Sequence, residues 1–271
     1  MRRLVATGND GSGASPRDVR PEDVRLEDVY ADLVLCGPVE GRAAVSLGMV
    51  ASTDGAASID GRTARLGGVA DRAAFAALRA AGDAVLVGAG TVRAEDYRPV
   101  TGDTARRARR RAKGLAPVPR LVIVSRSLSL SPTARVFADP RHPPLLITTR
   151  RAIEQTDVPL PDAAELIVCG EEEVDLALAL RELAERGLPR VLCEGGPRLN
   201  DALLGADLVD EVFLTLAPVL VGGNTARIVT GPAEHPPAEL HLVELREHEG
   251  ELLLRYRRNR GRERGEPADR L

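Results

Sequence analysis

The chain has 271 residues, 44% of them hydrophobic, and a formal net charge of −3. That apolar content excludes a disordered chain, and the slightly acidic balance excludes a general attraction to nucleic acid or to an anionic membrane surface. Aromatic residues make up 2% of the chain and Trp is absent, so Leu, Val and Ala must fill the core and a base-stacking platform is not expected. In chain order, residues 8–28 mix Gly, Ser, Pro and alternating charges without apolar periodicity. They predict a flexible arm, set at residues 1–30. Residues 43–51 are small and apolar, as in a buried strand, and Thr53-Asp54-Gly55 supplies the turn after it. Residues 71–80 place Ala, Phe and Leu at helical spacing, with Asp71 as the expected cap. Residues 84–87, 121–124, 145–148 and 166–168 are short, continuous runs rich in Val, Ile and Leu. A helical pattern over 174–186 stops at Gly187, and Val191-Leu192 begins another strand.

Short apolar strands alternating with helices predict an α/β fold with a mostly parallel sheet covered on both faces. The chain changes character after this. Residues 212–216, 240–245 and 251–256 are strand-like with no long helix between them, which predicts antiparallel strands added to the sheet. The globular domain is expected over residues 31–258, and residues 259–271 form a highly charged tail. No run approaches the roughly 20 apolar residues of a membrane-spanning helix. The cysteines, Cys36, Cys169 and Cys193, are widely spaced and odd in number, which predicts reduced thiols in a cytoplasmic protein. The dense arginine run over 106–113 is expected to be a solvated loop or short surface helix rather than a nucleic-acid patch.

Ligands of open α/β sheets sit at the carboxyl ends of the strands, and three strand ends here carry phosphate-compatible groups. The strand at 191–192 runs into Cys193-Glu194-Gly195-Gly196-Pro197 and then a helical pattern. Two glycines at a helix start leave bare backbone N–H groups beside the positive end of the helix dipole. The strand at 84–87 runs into Gly88-Ala89-Gly90-Thr91, where Thr91 offers a hydroxyl. The strand at 121–124 runs into Ser125-Arg126-Ser127, a hydroxyl and a guanidinium suited to a phosphate oxygen. Together they predict a dinucleotide or phosphorylated ligand. The histidines are scattered, so no metal site is expected. Neither a Gly-x-Ser-x-Gly elbow nor a P-loop is present.

Taken in order, these segments resemble a known family: residues 49–55, residues 78–92, Glu194-Gly195-Gly196-Pro197, and Leu208-Val209-Asp210-Glu211 with Ala217-Pro218-Val219-Leu220-Val221-Gly222-Gly223. They are similar to the reductase domain of the bifunctional riboflavin-biosynthesis deaminase/reductase, whose fold is dihydrofolate reductase-like. The likeness spans about residues 43–256. It implies an NADPH-dependent pyrimidine reductase, working as a homodimer on a ribosylated diaminopyrimidinone 5′-phosphate. Thr91 and Glu95 match cofactor contacts of the family, although Asp is usual where Glu95 stands. Ser125 and Arg126 resemble the side that takes the cofactor's 2′-phosphate. Gly195, Gly196, Pro197, Arg198 and Leu199 correspond to the pyrophosphate turn, and Glu194 and Arg79 to positions that hold substrate.

Arg79 also stands near the end of its helix, where it could merely offset the helix dipole. Asp54 and Glu194 are the candidate acids for catalysis, Asp54 being as readily a turn residue. Where some members carry Trp near the nicotinamide, this chain has Arg65-Leu66-Gly67-Gly68. The zinc-deaminase signature, His-x-Glu with Pro-Cys-x-x-Cys, is absent. Two other readings stay open: reduction of a pterin such as dihydrofolate on the same fold, and a nucleotide-binding protein without turnover.

Overall fold

A computed structural model describes residues 2–6, 29–30, 32–156, 164–232 and 234–260. One ten-stranded sheet runs through it in the order β1-β9-β10-β8-β2-β7-β3-β4-β5-β6. The parallel part comprises β2 (Ala44–Ser52), β3 (Ala84–Gly88), β4 (Arg120–Val124), β5 (Leu145–Thr148), β6 (Glu165–Val168) and β7 (Arg190–Cys193). Strand β8 (Val209–Ala217) lies parallel to β2, whereas β9 (Leu240–His248) and β10 (Glu251–Arg258) join it antiparallel. The α/β architecture expected from the sequence, with a mostly parallel sheet and antiparallel C-terminal strands, is the one observed.

Burial explains why these runs became strands. All nine residues of β2 are buried, as expected of a strand covered on both faces. In β3, Val85 and Val87 join one apolar cluster while Ala84 and Leu86 join the other, the period-2 alternation of a strand. Helix α1 (Val69–Ala81) covers the first face through Ala74 and Leu78. Helices α5 (Leu176–Glu185) and α6 (Pro197–Gly205) cover the second through Leu180, Leu183 and Leu203. The other α-helices among the described residues are α2 (Ala89–Ala94), α3 (Thr104–Ala112) and α4 (Arg150–Gln155).

Helix α1 is capped differently from the sequence expectation. Its N-cap is Gly68, and the Gly68 and Ala70 N–H groups donate to the two oxygens of Glu251, at 2.7 and 3.0 Å. A carboxylate from β10, far along the chain, therefore does the work assigned to Asp71. Asp71 instead lies buried in the first turn, where loss of water pushes its carboxyl up to about 6 against the pull of a Thr215 hydrogen bond. The C-terminal end is closed by Arg110. It is 1% exposed, and its Nη1 donates to the carbonyls of Arg79, Ala80 and Gly82 at 3.0, 3.1 and 2.6 Å. The arginine run is thus a surface helix, α3, as expected, except that one of its members is a buried helix cap. Arg110 supplies the dipole complement offered above for Arg79.

The arm was drawn too long. Val29 and Tyr30 are buried, and the Tyr30 ring meets Phe213 edge-on with centroids 5.6 Å apart. Residues 2–6 form β1 (Arg2–Ala6), which pairs antiparallel with β9 and occupies the outer edge of the antiparallel strands. The rest of the expected arm, residues 7–28, and the tail from 261 lie outside the described residues.

Because Arg110 is the buried partner of several carbonyls, Arg110→Met should lower stability in urea by about 1–3 kcal/mol. Arg109→Met, the same charge change one position away on the exposed face, should stay within about 0.5 kcal/mol. Equal midpoints for the two variants would refute the capping role.

Candidate functional site

The winding of the sheet creates the site. The chain moves outward through β3, β4, β5 and β6, then returns to insert β7 between β2 and β3. A reversal of that kind opens a crevice at the carboxyl ends of the strands. The ends of β2, β7, β3 and β4 therefore lie side by side, and they carry Asp54, the Glu194-Gly195-Gly196 turn, Thr91 and Ser125-Arg126.

The turn after β7 is built by close backbone contact. The Gly88 N–H donates to the Gly195 carbonyl at 2.8 Å, and the Glu194 N–H donates to the Leu86 carbonyl at 2.9 Å. Gly195 has φ +82 and Gly196 φ +26, values that a side chain disfavours. The Gly196 N–H donates to Thr91 Oγ1 at 3.1 Å, and a Cβ on Gly196 would sit 2.9 Å from that same oxygen. Two residues 105 positions apart thus meet at one turn, and they can approach this closely only while Gly196 stays bare. Pro197 occupies the first turn of α6, where its missing N–H costs nothing. Arg198 is exposed above it, while Leu199 is buried and packs beside Gly88.

Arg79 and Glu194, each matched by the resemblance to a substrate-holding position, form an ion pair with one another. Arg79 Nε and Nη2 donate to the two Glu194 oxygens at 2.5 and 2.6 Å, a bidentate pair. Tyr97, which no pattern in the sequence singles out, completes the group. Its hydroxyl donates to Glu194 Oε2 at 2.6 Å and accepts from Arg79 Nη2 at 3.2 Å. Burial, reinforced by the Glu194 charge, raises the Tyr97 hydroxyl well above the usual tyrosine range. Burial also works against the Arg79 charge, yet the Glu194 carboxylate outweighs it and the guanidinium pKa is raised. The Glu194 side chain is 5% exposed and that of Arg79 33%, so the cation is the member of the pair that reaches solvent.

Asp54 serves a different task from the one considered in the sequence. Its carboxylate accepts from the Ser52 hydroxyl at 2.5 Å and from the N–H groups of Val221 and Gly222. The Ser52 bond, then those of Gly222 and Val221, hold the Asp54 carboxyl down to about 2. An acid held that low has no proton to give at neutral pH. Asp54 instead pins the long segment after β8 across the strand ends. The same segment is tied down by Ala57 N to Ala226 O at 2.9 Å, by Thr230 N to Pro197 O at 3.2 Å and by Asn200 Nδ2 to Ile228 O at 2.7 Å.

The remaining cofactor candidates are placed less directly. Glu95 Oε1 accepts from the Thr63 N–H at 2.8 Å and so ties α2 to the loop before α1. Ser125 is buried, with its N–H on the Ile147 carbonyl. Arg126 reaches outward from the end of β4 and pairs with Glu173 at 2.6 Å. Asp210 and Glu211, part of the resemblance, are structural. Asp210 takes both Nη groups of Arg42 at 2.9 Å, and Glu211 is 0% exposed and accepts from Ser46 and Arg255. Among the described residues no group of three His, Cys, Asp or Glu side chains could hold a metal ion, and no helix is long and apolar enough to cross a membrane.

Residues 43–254 match the family model described as the RibD C-terminal domain. The chain is 33% identical over 186 residues, 68% of its length and 84% of the relative's, to the 2,5-diamino-6-ribosylamino-4(3H)-pyrimidinone 5′-phosphate reductase of Archaeoglobus fulgidus. It is 36% identical over 170 residues, 62% of its length and 75% of the relative's, to the enzyme of the same name from Methanothermobacter thermautotrophicus. Among solved structures, a pyrimidine reductase-like protein from Corynebacterium diphtheriae superposes with a TM-score of 0.73 at 26% identity. It covers 88% of this chain and 100% of its own.

The turn gives a direct test. Gly196→Val should weaken binding of a nucleotide cofactor by about 10-fold or more, since a branched side chain meets Thr91 and resists the positive φ. Titration calorimetry measures this, with circular dichroism to verify the fold. Unchanged affinity in a folded variant would reduce the turn to a structural device.

Proposed function

The chain belongs to the RibD C-terminal domain family, and we propose that it reduces 2,5-diamino-6-ribosylamino-4(3H)-pyrimidinone 5′-phosphate with NADPH, the reaction for which its relatives are named. The observation that carries this reading is the juxtaposition of two features at adjacent strand ends. One is the bare Gly196 cradle against Thr91, and the other is the buried Arg79–Glu194–Tyr97 group. A glycine cradle at the start of a helix suits a pyrophosphate, and a bidentate arginine at the mouth of a crevice suits a sugar phosphate.

In this reading Gly195, Gly196, Thr91 and the first turn of α6 hold the pyrophosphate. Ser125 and Arg126 face the 2′-phosphate. When bound, the cofactor supplies a hydride to the carbonyl or imine carbon of the opened ribose. Glu194, accepting hydrogen bonds on both oxygens, fixes the Arg79 guanidinium. The Arg79 Nη1 donors, which take no part in the bonds to Glu194 and Tyr97, are left for a phosphate oxygen of the substrate. Asp54 keeps the segment after β8 across the strand ends and so limits the access of water to the reacting carbon. Asp54 stores no transferable proton in this arrangement, and solvent protonates the product. The homodimer implied by the resemblance and the cytoplasmic setting expected from the cysteines belong to the same proposal.

Arg126→Ala should weaken NADPH binding by about 1–3 kcal/mol, the scale of a charge-assisted hydrogen bond, and leave NADH nearly unchanged. Equal losses for both cofactors in a fluorescence titration would remove Arg126 from the 2′-phosphate site.

Arg79→Lys keeps the charge and loses the fork. It should raise KM for the phosphorylated substrate about 10-fold or more, and far less for the dephosphorylated one. Steady-state kinetics with both compounds decide the point. An equal rise would mean that Arg79 orients Glu194 without reading the phosphate.

A further inference from the structure

The loop from β6 to α5 carries three consecutive acids, Glu171, Glu172 and Glu173, and the fold presents them in one fixed arrangement. Gly170 turns the chain with φ +95, and a Cβ there would lie 2.1 Å from the Glu173 carbonyl oxygen. The Arg150 and Arg151 N–H groups, at the start of α4, donate to the carbonyls of Gly170 and Glu171 at 3.0 and 3.1 Å. A turn anchored in this way sets one glutamate against each of three arginines. Glu171 pairs with Arg150 at 3.2 Å, Glu172 with Arg151 at 2.8 Å, and Glu173 with Arg126 at 2.6 Å. The Arg126 and Glu173 side chains are 66% and 75% exposed. Exposed pairs of this kind are weak and open readily.

We propose that Glu173 is a specificity-determining residue for the cofactor, standing on Arg126 where the 2′-phosphate would bind. This rests on the reading that Arg126 takes that phosphate. The carboxylate and the phosphate carry the same sign and compete for one guanidinium, so Glu173 must swing aside before NADPH can bind. A cofactor without the extra phosphate meets no such competition. Its ribose hydroxyl can donate to the carboxylate, as it does to an acidic residue in other dinucleotide sites. Glu173 therefore narrows the preference for NADPH over NADH that Arg126 creates. The backbone anchoring of the loop matters because it holds the acid at the end of β4 instead of leaving it free in solvent.

The test is a set of Kd measurements for NADPH and NADH at low ionic strength, on the wild type, Glu173→Gln, Arg126→Ala, the double variant and Glu172→Gln. Glu173→Gln should bind NADPH roughly 3- to 10-fold more tightly without gaining affinity for NADH. Added salt should shrink that gain. Glu172→Gln removes the same charge from the neighbouring position and should change NADPH affinity less than about twofold. In the Arg126→Ala background the Glu173→Gln gain should vanish. An equal gain for NADH, a gain that persists without Arg126, or no gain at all would overturn the proposal. If Arg126→Ala itself leaves NADPH affinity unchanged, the assignment of Arg126 fails and this inference fails with it. If Arg126→Ala discriminates while Glu173→Gln is silent, only the role of Glu173 falls.

Discussion

Strand β7 contributes four residues to the sheet, yet it is the only contact between β2 and β3 within it, pairing with one on each side. That insertion is the constraint on which the crevice depends. Once β7 is seated, the Glu194 N–H lies on Leu86 and the Gly88 N–H on Gly195. The two glycine-bearing turns are locked at one height by those bonds. Thr91 and Gly196 then have no freedom to separate, and Glu194 is delivered to Arg79 across 115 residues of sequence. Two parallel ladders fix its register, Val191 lying opposite Val45 of β2 and Ala84 of β3. Register in β7 thus controls the chemistry at its end.

Helix α1 shows how the fold positions the Arg79 side chain from a distance. Glu251 holds its first turn and Arg110 its last, and neither belongs to a neighbouring stretch of chain. The unsatisfied N–H and C=O groups at the two helix ends are the groups most costly to bury without partners. Both are met by charges of the sign that the dipole favours. The consequence for Arg79, two residues from the helix end, is that its backbone is fixed while its side chain stays available to Glu194.

The arginines of this chain illustrate how burial, rather than residue type, assigns a role. Arg110 is enclosed by carbonyls, and the loss of water pulls its pKa down to about 10. Arg79 is half withdrawn and neutralised by one carboxylate. Arg126 stands in solvent, paired with the likewise exposed Glu173. One side-chain chemistry serves as a helix cap, as the partner of a buried carboxylate and as half of an exposed ion pair, because the dielectric and the set of available acceptors differ at the three places.

The sequence by itself determined the α/β class, most of the strands and the glycine turn, because these depend on local apolar periodicity and on the absence of a Cβ. Leu145–Thr148 was legible to the residue, and Glu194, Gly195, Gly196 and Arg79 were legible through motifs that keep their spacing. Only the tertiary structure decided which partners these groups would have. Tyr97, Glu251 and Arg110 carry no periodic or motif signal, and their partners lie 97, 181 to 183, and 28 to 31 positions away. The cap of α1, expected at Asp71, and the donors around Asp54 were not legible for the same reason. A cap or an acid is defined by the donors and the burial around it, and those are set by strands that meet only when the sheet closes. The strand at residues 2–6 was hidden because pairing to β9 supplies an order that its own composition does not announce.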